Sequence, residues 1–302
     1  MSEANRSGGS AAPAVQVDHV SIAVPRIDEA LQFFQKHFPI VMGVPASPGY
    51  VSDFNWCDFY IGRFKLELIE PAGSGGGFVE RFLSKRGPGL HHWSLETTAL
   101  APLVDRMERE GVRIVDRFDA GNGDATAFVS PRSAFGVLIQ FWQVPRLHDL
   151  EHPKIVTYRL PNGESVRMRV DHVSIAVRDM EVTLDFFRRH IPFQLRRPPH
   201  PGWDGTFLVG SFYVNDYKVE LIQPTPGKSG FASRFIERRG EGFHHVSIDV
   251  DRLDPYVEQL ERDGVRVVDK QTLRNGQKTA FISPRSAFGV LIQLWQAHDF
   301  RS

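Results

Sequence analysis

Cysteine is almost missing from this chain. Cys57 is the only one among 302 residues, which excludes an intrachain disulfide framework and fits a reducing compartment. Its plain reading is a small buried apolar residue. There is no excess of charge of either sign: 36 Lys and Arg balance 36 Asp and Glu, so bulk electrostatics recruit neither nucleic acid nor an anionic membrane nor an acidic partner. No apolar run approaches the roughly 18 residues needed to span a bilayer. Residues 1–14 are rich in Ser, Gly and Ala, and no basic segment there leads into an apolar run. They read as a disordered tail and not as a signal peptide. These absences set the expectation of a cytoplasmic protein with no nucleic-acid or membrane partner.

What is present is repetition. Asp18-His19-Val20-Ser21-Ile22-Ala23-Val24 recurs as Asp171-His172-Val173-Ser174-Ile175-Ala176-Val177, and Ser130 through Gln140 recurs unchanged as Ser283 through Gln293. Lys65-Leu66-Glu67-Leu68-Ile69 answers to Lys218-Val219-Glu220-Leu221-Ile222, and Gly89-Leu90-His91-His92 to Gly242-Phe243-His244-His245. Each pair is 153 positions apart, so two copies of one unit align without net insertion between the markers. A shorter period lies inside each copy: 48 residues separate His19 from Glu67 and His92 from Gln140, and likewise His172 from Glu220 and His245 from Gln293. Four modules in two pairs follow, each opened by a strand with His and closed by a strand with Glu or Gln.

Periodicity fills in the module. Val17 to Val24 has the alternation of a half-buried strand, and Ala30, Leu31, Phe33 and Phe34 form an apolar stripe at helical spacing with Asp28 as the expected N-cap. Further short strands run to Ile69, and the second module repeats the plan with a helix over 101–110 and strands over 112–115, 125–129 and 136–142. The expected architecture is α+β: a first domain over 15–145, a linker over 146–167 with a hairpin at Pro161-Asn162-Gly163, and a second domain over 168–299.

Side chains alternate across a strand, so in His91-His92 and His244-His245 the second His is expected to face its module partner and the first to face away. If the two modules of a copy pair about a pseudo-twofold axis, His19, Glu67, His92 and Gln140 converge, as do His172, Glu220, His245 and Gln293. Two imidazoles, one carboxylate and one amide oxygen suit a divalent ion, Fe, Mn, Co, Ni or Zn, with one or two positions left for water or substrate. Arg132 and Arg285 stand at the mouth of the duplicated turn, where a guanidinium is a candidate substrate clamp. No catalytic residue is assigned.

On three marks the chain resembles the vicinal-oxygen-chelate superfamily, in particular its glyoxalase and methylmalonyl-CoA epimerase branch: the Asp18 to Val24 strand, the stretch Phe82 through His92, and Ser130-Pro131-Arg132 running into Gly136-Val137-Leu138-Ile139, all three present in both copies. The resemblance implies paired βαβββ modules, cupped mixed sheets, a divalent metal on strand residues, and a small substrate that chelates through two neighbouring oxygens. Two departures matter. The closing ligand is usually Glu in epimerase-like patterns, whereas Gln140 and Gln293 stand here, and the stretch Pro48 to Asp58 lacks the Glu of an epimerase base. Three functions are carried forward: a metal-dependent isomerase or lyase; an Fe(II) dioxygenase like the extradiol and hydroxyphenylpyruvate-type enzymes, which share the four-module layout; and a small-molecule binding or resistance protein. For the second, Phe54, Trp56, Phe59, Tyr60, Phe207, Phe212 and Tyr213 are the aromatics expected on the pocket side. A homodimer is left open.

Overall fold

The structure, a computed structural model, describes residues 14–73, 75–119, 121, 123–149, 151–297 and 299–300. The expectation of a disordered tail falls on residues 1–13 and lies outside them. The first half runs β1 (Val15–Ala23), α1 (Ile27–His37), β2 (Ile40–Met42), β3 (Ser47–Pro48), β4 (Phe54–Ile61), β5 (Phe64–Pro71), α2 (Phe78–Arg86), β6 (Gly89–Thr97), α3 (Leu100–Arg109), β7 (Ile114–Asp119), β8 (Ala125–Val129) and β9 (Leu138–Gln143). A hairpin of β10 (Val156–Arg159) and β11 (Ser165–Ala176) opens the second half, followed by α4 (Met180–His190), β12 (Gln194–Pro201), β13 (Phe207–Val214), β14 (Tyr217–Pro224), α5 (Phe231–Arg239), β15 (Gly242–Val250), α6 (Leu253–Arg262), β16 (Val267–Thr272), β17 (Lys278–Ile282) and β18 (Ile292–Gln296). The turn at 161–163 therefore feeds one unbroken strand that carries His172.

Each half is one mixed sheet, ordered β2-β4-β5-β1-β6-β9-β8-β7 and β12-β13-β14-β11-β15-β18-β17-β16. In each, the opening strands of the two modules pair antiparallel at the centre, β1 with β6 and β11 with β15, and each closing strand runs parallel beside its own opening strand. This is the α+β arrangement of paired modules that the repeat predicts and that the resemblance to the vicinal-oxygen-chelate superfamily implies. Alternation sorts the faces: Val20 and Ile22 enter the hydrophobic core with α1, while His19 and Ser21 point to the other face.

Local chemistry departs from expectation at two points. Asp28 is not the N-cap of α1: Arg26 holds that position, and the Glu70 carboxylate from β5 accepts the Ile27 N–H at 2.7 Å. In the second copy Asp179 caps α4 through the N–H groups of Glu181 and Val182. Helices α2 and α5 were not expected. Their apolar side, Phe78, Val79, Phe82 and Leu83 in α2, covers the end of the site-bearing face.

The halves share a single largest core cluster. Tyr256 on α6 donates its hydroxyl to the carbonyl of His37 at the end of α1 at 2.7 Å, and Trp93 meets Phe187 with ring centroids 6.2 Å apart. The duplicated turns complete the junction. Gly136 has φ +79°, and a Cβ there would lie 1.8 Å from the carbonyl oxygen of Glu241. A Cβ on Gly289, φ +80°, would lie 1.7 Å from that of Pro88. The glycine that ends each Ser-Pro-Arg-Ser-Ala-Phe-Gly segment thus has a structural cause: it docks its backbone on the other half, at a distance only glycine permits.

Candidate metal centres

Four strands bring four donors together in each half. In the first, His19 Nε2 lies 3.3 Å from His92 Nε2 and 3.4 Å from Glu67 Oε2, and His92 Nε2 lies 3.1 Å from Gln140 Oε1. The second half repeats this: His172 Nε2 to His245 Nε2 3.3 Å, His172 Nε2 to Glu220 Oε1 3.4 Å, and His245 Nε2 to Gln293 Oε1 3.2 Å. Two donors each about 2.1 Å from a common ion sit roughly 3.0 Å apart at a right angle and 3.4 Å apart at a tetrahedral one, so these spacings are those of a ligand shell. Glu67 Oε2 is also buried without a hydrogen-bond donor, a cost that a cation removes. His19, Glu67 and His92, and in the second half His172, Glu220 and His245, group tightly enough to hold one ion each.

The residues that aim the imidazoles come from an irregularity that strand alternation does not reveal. The β1/β6 ladder skips Asp18, passing from Val17 to His19, and skips His91, passing from His92 to Leu90; β11/β15 skips Asp171 and His244 in the same way. A bulge turns its extra side chain toward its neighbour's face. Asp18 Oδ2 consequently accepts from His19 Nδ1 at 2.6 Å, and His91 Nδ1 lies 2.9 Å from His92 Nδ1. The expectation that His91 and His244 face away is overturned. His244 lines the same cavity as His245, and each first His takes the Nδ1 of the second, leaving Nε2 for the metal. Lys65 holds Asp18 at 3.1 Å, and Thr126 accepts from Gln140 Nε2 at 3.2 Å, which turns the amide oxygen inward.

The electrostatics separate the two imidazoles of a site. Burial works against a charge on His19, but Glu67 and Asp18 outweigh it and lift His19 to about 9. His172 is lifted to about 9 by Glu220 and Asp171 against the same opposition. His92 has no such carboxylate at its Nδ1, and burial presses it down to about 3. Burial would raise Glu67, yet His19 brings it down to about 2. Without metal, each site therefore holds an imidazolium-carboxylate pair beside a neutral imidazole.

The second site forms the floor of a cavity of about 1010 Å³. Of the second-half aromatics expected at the pocket, Phe207 lines it; Phe212 is wholly buried in the helix-side core, as is its counterpart Phe59. Arg132 and Arg285 are exposed on the docking turns, and Arg285 is not among the described residues that line the cavity. Among the described residues no helix is long and apolar enough to cross a membrane.

Comparison with known proteins agrees with this construction. A sequence model of the glyoxalase/bleomycin resistance protein/dioxygenase superfamily matches residues 18–128 and again 171–281. An uncharacterised protein of Bacillus subtilis is 33% identical over 127 residues, covering 41% of this chain and 89% of that protein. Human mitochondrial methylmalonyl-CoA epimerase is 29% identical over 133 residues, covering 43% of this chain and 74% of its own length. A triple mutant of 4-hydroxymandelate synthase from Streptomyces coelicolor superposes along 96% of this chain and 94% of its own, with a TM-score of 0.65 and 15% identity.

Proposed function

Because this chain belongs to the glyoxalase/bleomycin resistance protein/dioxygenase superfamily, we propose that it is a divalent-metal-dependent enzyme performing isomerase or lyase chemistry on a small substrate that chelates through neighbouring carbonyl or carboxylate oxygens. The observation that carries this reading is the fourth donor. A six-coordinate ion held by His172, Glu220, His245 and Gln293 would keep two open positions for a chelating substrate. A two-His, one-carboxylate oxygenase site keeps three, enough for a chelating substrate and dioxygen together.

The bound ion would act as a Lewis acid toward a substrate oxygen. The protein's part is orientation and exclusion of water. Asp171 and His244 fix the imidazole rings of the second site as Asp18 and His91 do those of the first, and His172, His245 and Gln293 are at most 6% exposed. A carboxyl held near 2 is a poor base at neutral pH, which favours ligation over proton transfer for Glu220 as for Glu67. The 29% identity to an epimerase supports proton-moving chemistry. The dioxygenase stays as a second reading because two His and one carboxylate are also the ligand set of non-haem Fe(II) oxygenases.

The test is deuterium incorporation from D2O into carbonyl and carboxylate acids, methylmalonyl thioesters included, with the metal-loaded chain under nitrogen. Exchange without oxygen is expected. Oxygen uptake in step with substrate loss would replace this reading with the dioxygenase, and metal-dependent binding with neither reaction would leave a sequestering protein.

A further inference from the structure

The two ligand sets match, but the walls around them do not. Two positions whose second-half counterparts line the cavity are bulkier or more apolar in the first half, Trp56 for Val209 and Phe118 for Gln271, and at a third Tyr50 stands for Trp203. Tyr50 precedes β4 and Phe118 lies on β7, so they come from opposite edges of the first sheet. Their rings nonetheless meet with centroids 5.2 Å apart, closing one edge of the cup against the other. In the second half Trp203 lies parallel to Phe231 at 6.1 Å, along the wall, and Gln271 faces the cavity.

Charge divides the halves the same way. Arg197 and Arg234 both line the second cavity, and among the described residues neither guanidinium has a carboxylate or hydrogen-bond partner. At the matching places the first half has Val44, which has no charge, and Arg81, whose guanidinium is already bound to the carbonyl of Gly76. The remaining cations of the second cavity are committed: Arg169 to Asp249 at 2.8 Å and Lys218 to Asp171 at 2.6 Å. Two uncommitted guanidiniums lining the same cavity as the ligand set would form a receptor for an anion, because a fork of N–H donors matches a carboxylate or phosphate.

Building on the metal-chelate reading above, we propose that the two centres are not equivalent: the second half admits a substrate that chelates at the metal and carries a second, remote anionic group, a carboxylate or a phosphate, held by Arg197 and Arg234, and the first half does not admit it. Substrate turnover belongs to the second centre. The first keeps its ligands as a closed site.

Calorimetric titration of the full chain loaded with Mn(II) tests this, with oxoadipate against its monocarboxylate match oxohexanoate, and phosphohydroxypyruvate against hydroxypyruvate. One equivalent per chain is expected, with at least one anion-tailed acid about tenfold or more tighter than its match; the larger of the two ratios assigns the tail as carboxylate or phosphate. In the Arg197→Gln, Arg234→Gln double variant the ratio should fall to near one while oxohexanoate binds as before and two ions remain bound. Both residues are exposed, so the fold should survive, which circular dichroism checks. His19→Ala should leave the one equivalent, and His172→Ala should abolish it. Two equivalents per chain, a ratio that persists without the arginines, or ratios near one in the unaltered chain would each overturn the proposal. Ratios near one with oxohexanoate still bound at the metal would refute this inference alone; a chain that holds no metal would refute the metal-chelate reading, not the anion preference.

Discussion

Asp18 and His91 occupy one and the same place in successive modules: each is the residue that the β1/β6 ladder skips, and each takes the Nδ1 of the imidazole that follows it. Partners of this kind set the tautomer and direction of a metal-binding His, and their loss commonly weakens metal binding by roughly 10- to 100-fold. Asp18→Ala and His91→Ala should each lower Zn(II) or Mn(II) affinity by about that factor at the first site only, read by chelator competition. Unchanged affinity would reduce both residues to packing.

Elemental analysis of chain purified without chelator should find up to two divalent ions, since both ligand sets are complete. His92→Ala should bring the number toward one. An unaltered count would sink the assignment of the first site.

Proton release accompanies metal uptake if the charge states are right. His19 and His172, each near 9, carry a proton at neutral pH that must leave before Nε2 binds an ion. Apparent affinity should climb by up to about tenfold per pH unit and level off near 9. Calorimetry in buffers of different ionisation enthalpy should report about one proton per site; none would contradict the imidazolium assignment.

The same groups give the metal-free chain a stability optimum. The raised His19 contributes stability that is complete below its unfolded value of 6.5 and lost as pH rises through about 9. His91 and His92 are depressed to about 4 and 3, so below 6.5 the unfolded chain takes protons that the folded chain refuses. Thermal midpoints should peak near pH 6.5 without metal and move to higher pH with it. A metal-free optimum above pH 8 would mean the carboxylates do not hold charge on His19 and His172.

Gln140 is a neutral oxygen donor, and Gln140→Glu with Gln293→Glu would add a negative charge to each site. Two ions should stay bound, but more ligand charge weakens the Lewis acid. Deuterium exchange should drop by about tenfold, equivalent to about 1.4 kcal/mol in the barrier. A rate increase would show that the closing position works better as a base.

The quartets were legible because spacing carried them: the same 48-residue interval occurs twice in each copy, and a ligand set needs only that the strands pair as the modules imply. Orientation was not legible. Alternation assigns His91 to the far face, and only the backbone ladder exposes the bulge that returns it. Capping failed at Asp28 because the acceptor for Ile27 comes from Glu70, 43 positions away, whereas the local cap at Asp179 follows the usual rule. In the turn that carries Arg132 and Arg285, the repeated glycine has a packing cause that only the contact between the halves reveals. The difference between the cups lies at non-identical positions of the repeat, Tyr50 and Phe118 against Trp203 and Gln271, whose ring contact the sequence does not carry.

Those glycines bear on how the molecule could come to have two unlike cups. Gly136 against Glu241 and Gly289 against Pro88 are one contact made twice, the reciprocal seam that two identical subunits would form about a twofold axis. In an assembly of identical chains any replacement falls on both cups together, and a ring that shuts one shuts the other. With both subunits fused into one polypeptide, Tyr50 and Phe118 can change while Trp203 and Gln271 stay, and the seam need not alter. Fusion turns a symmetry constraint into a reserve copy: one cup remains in service while the other is free to drift, to plug, or to acquire a different ligand.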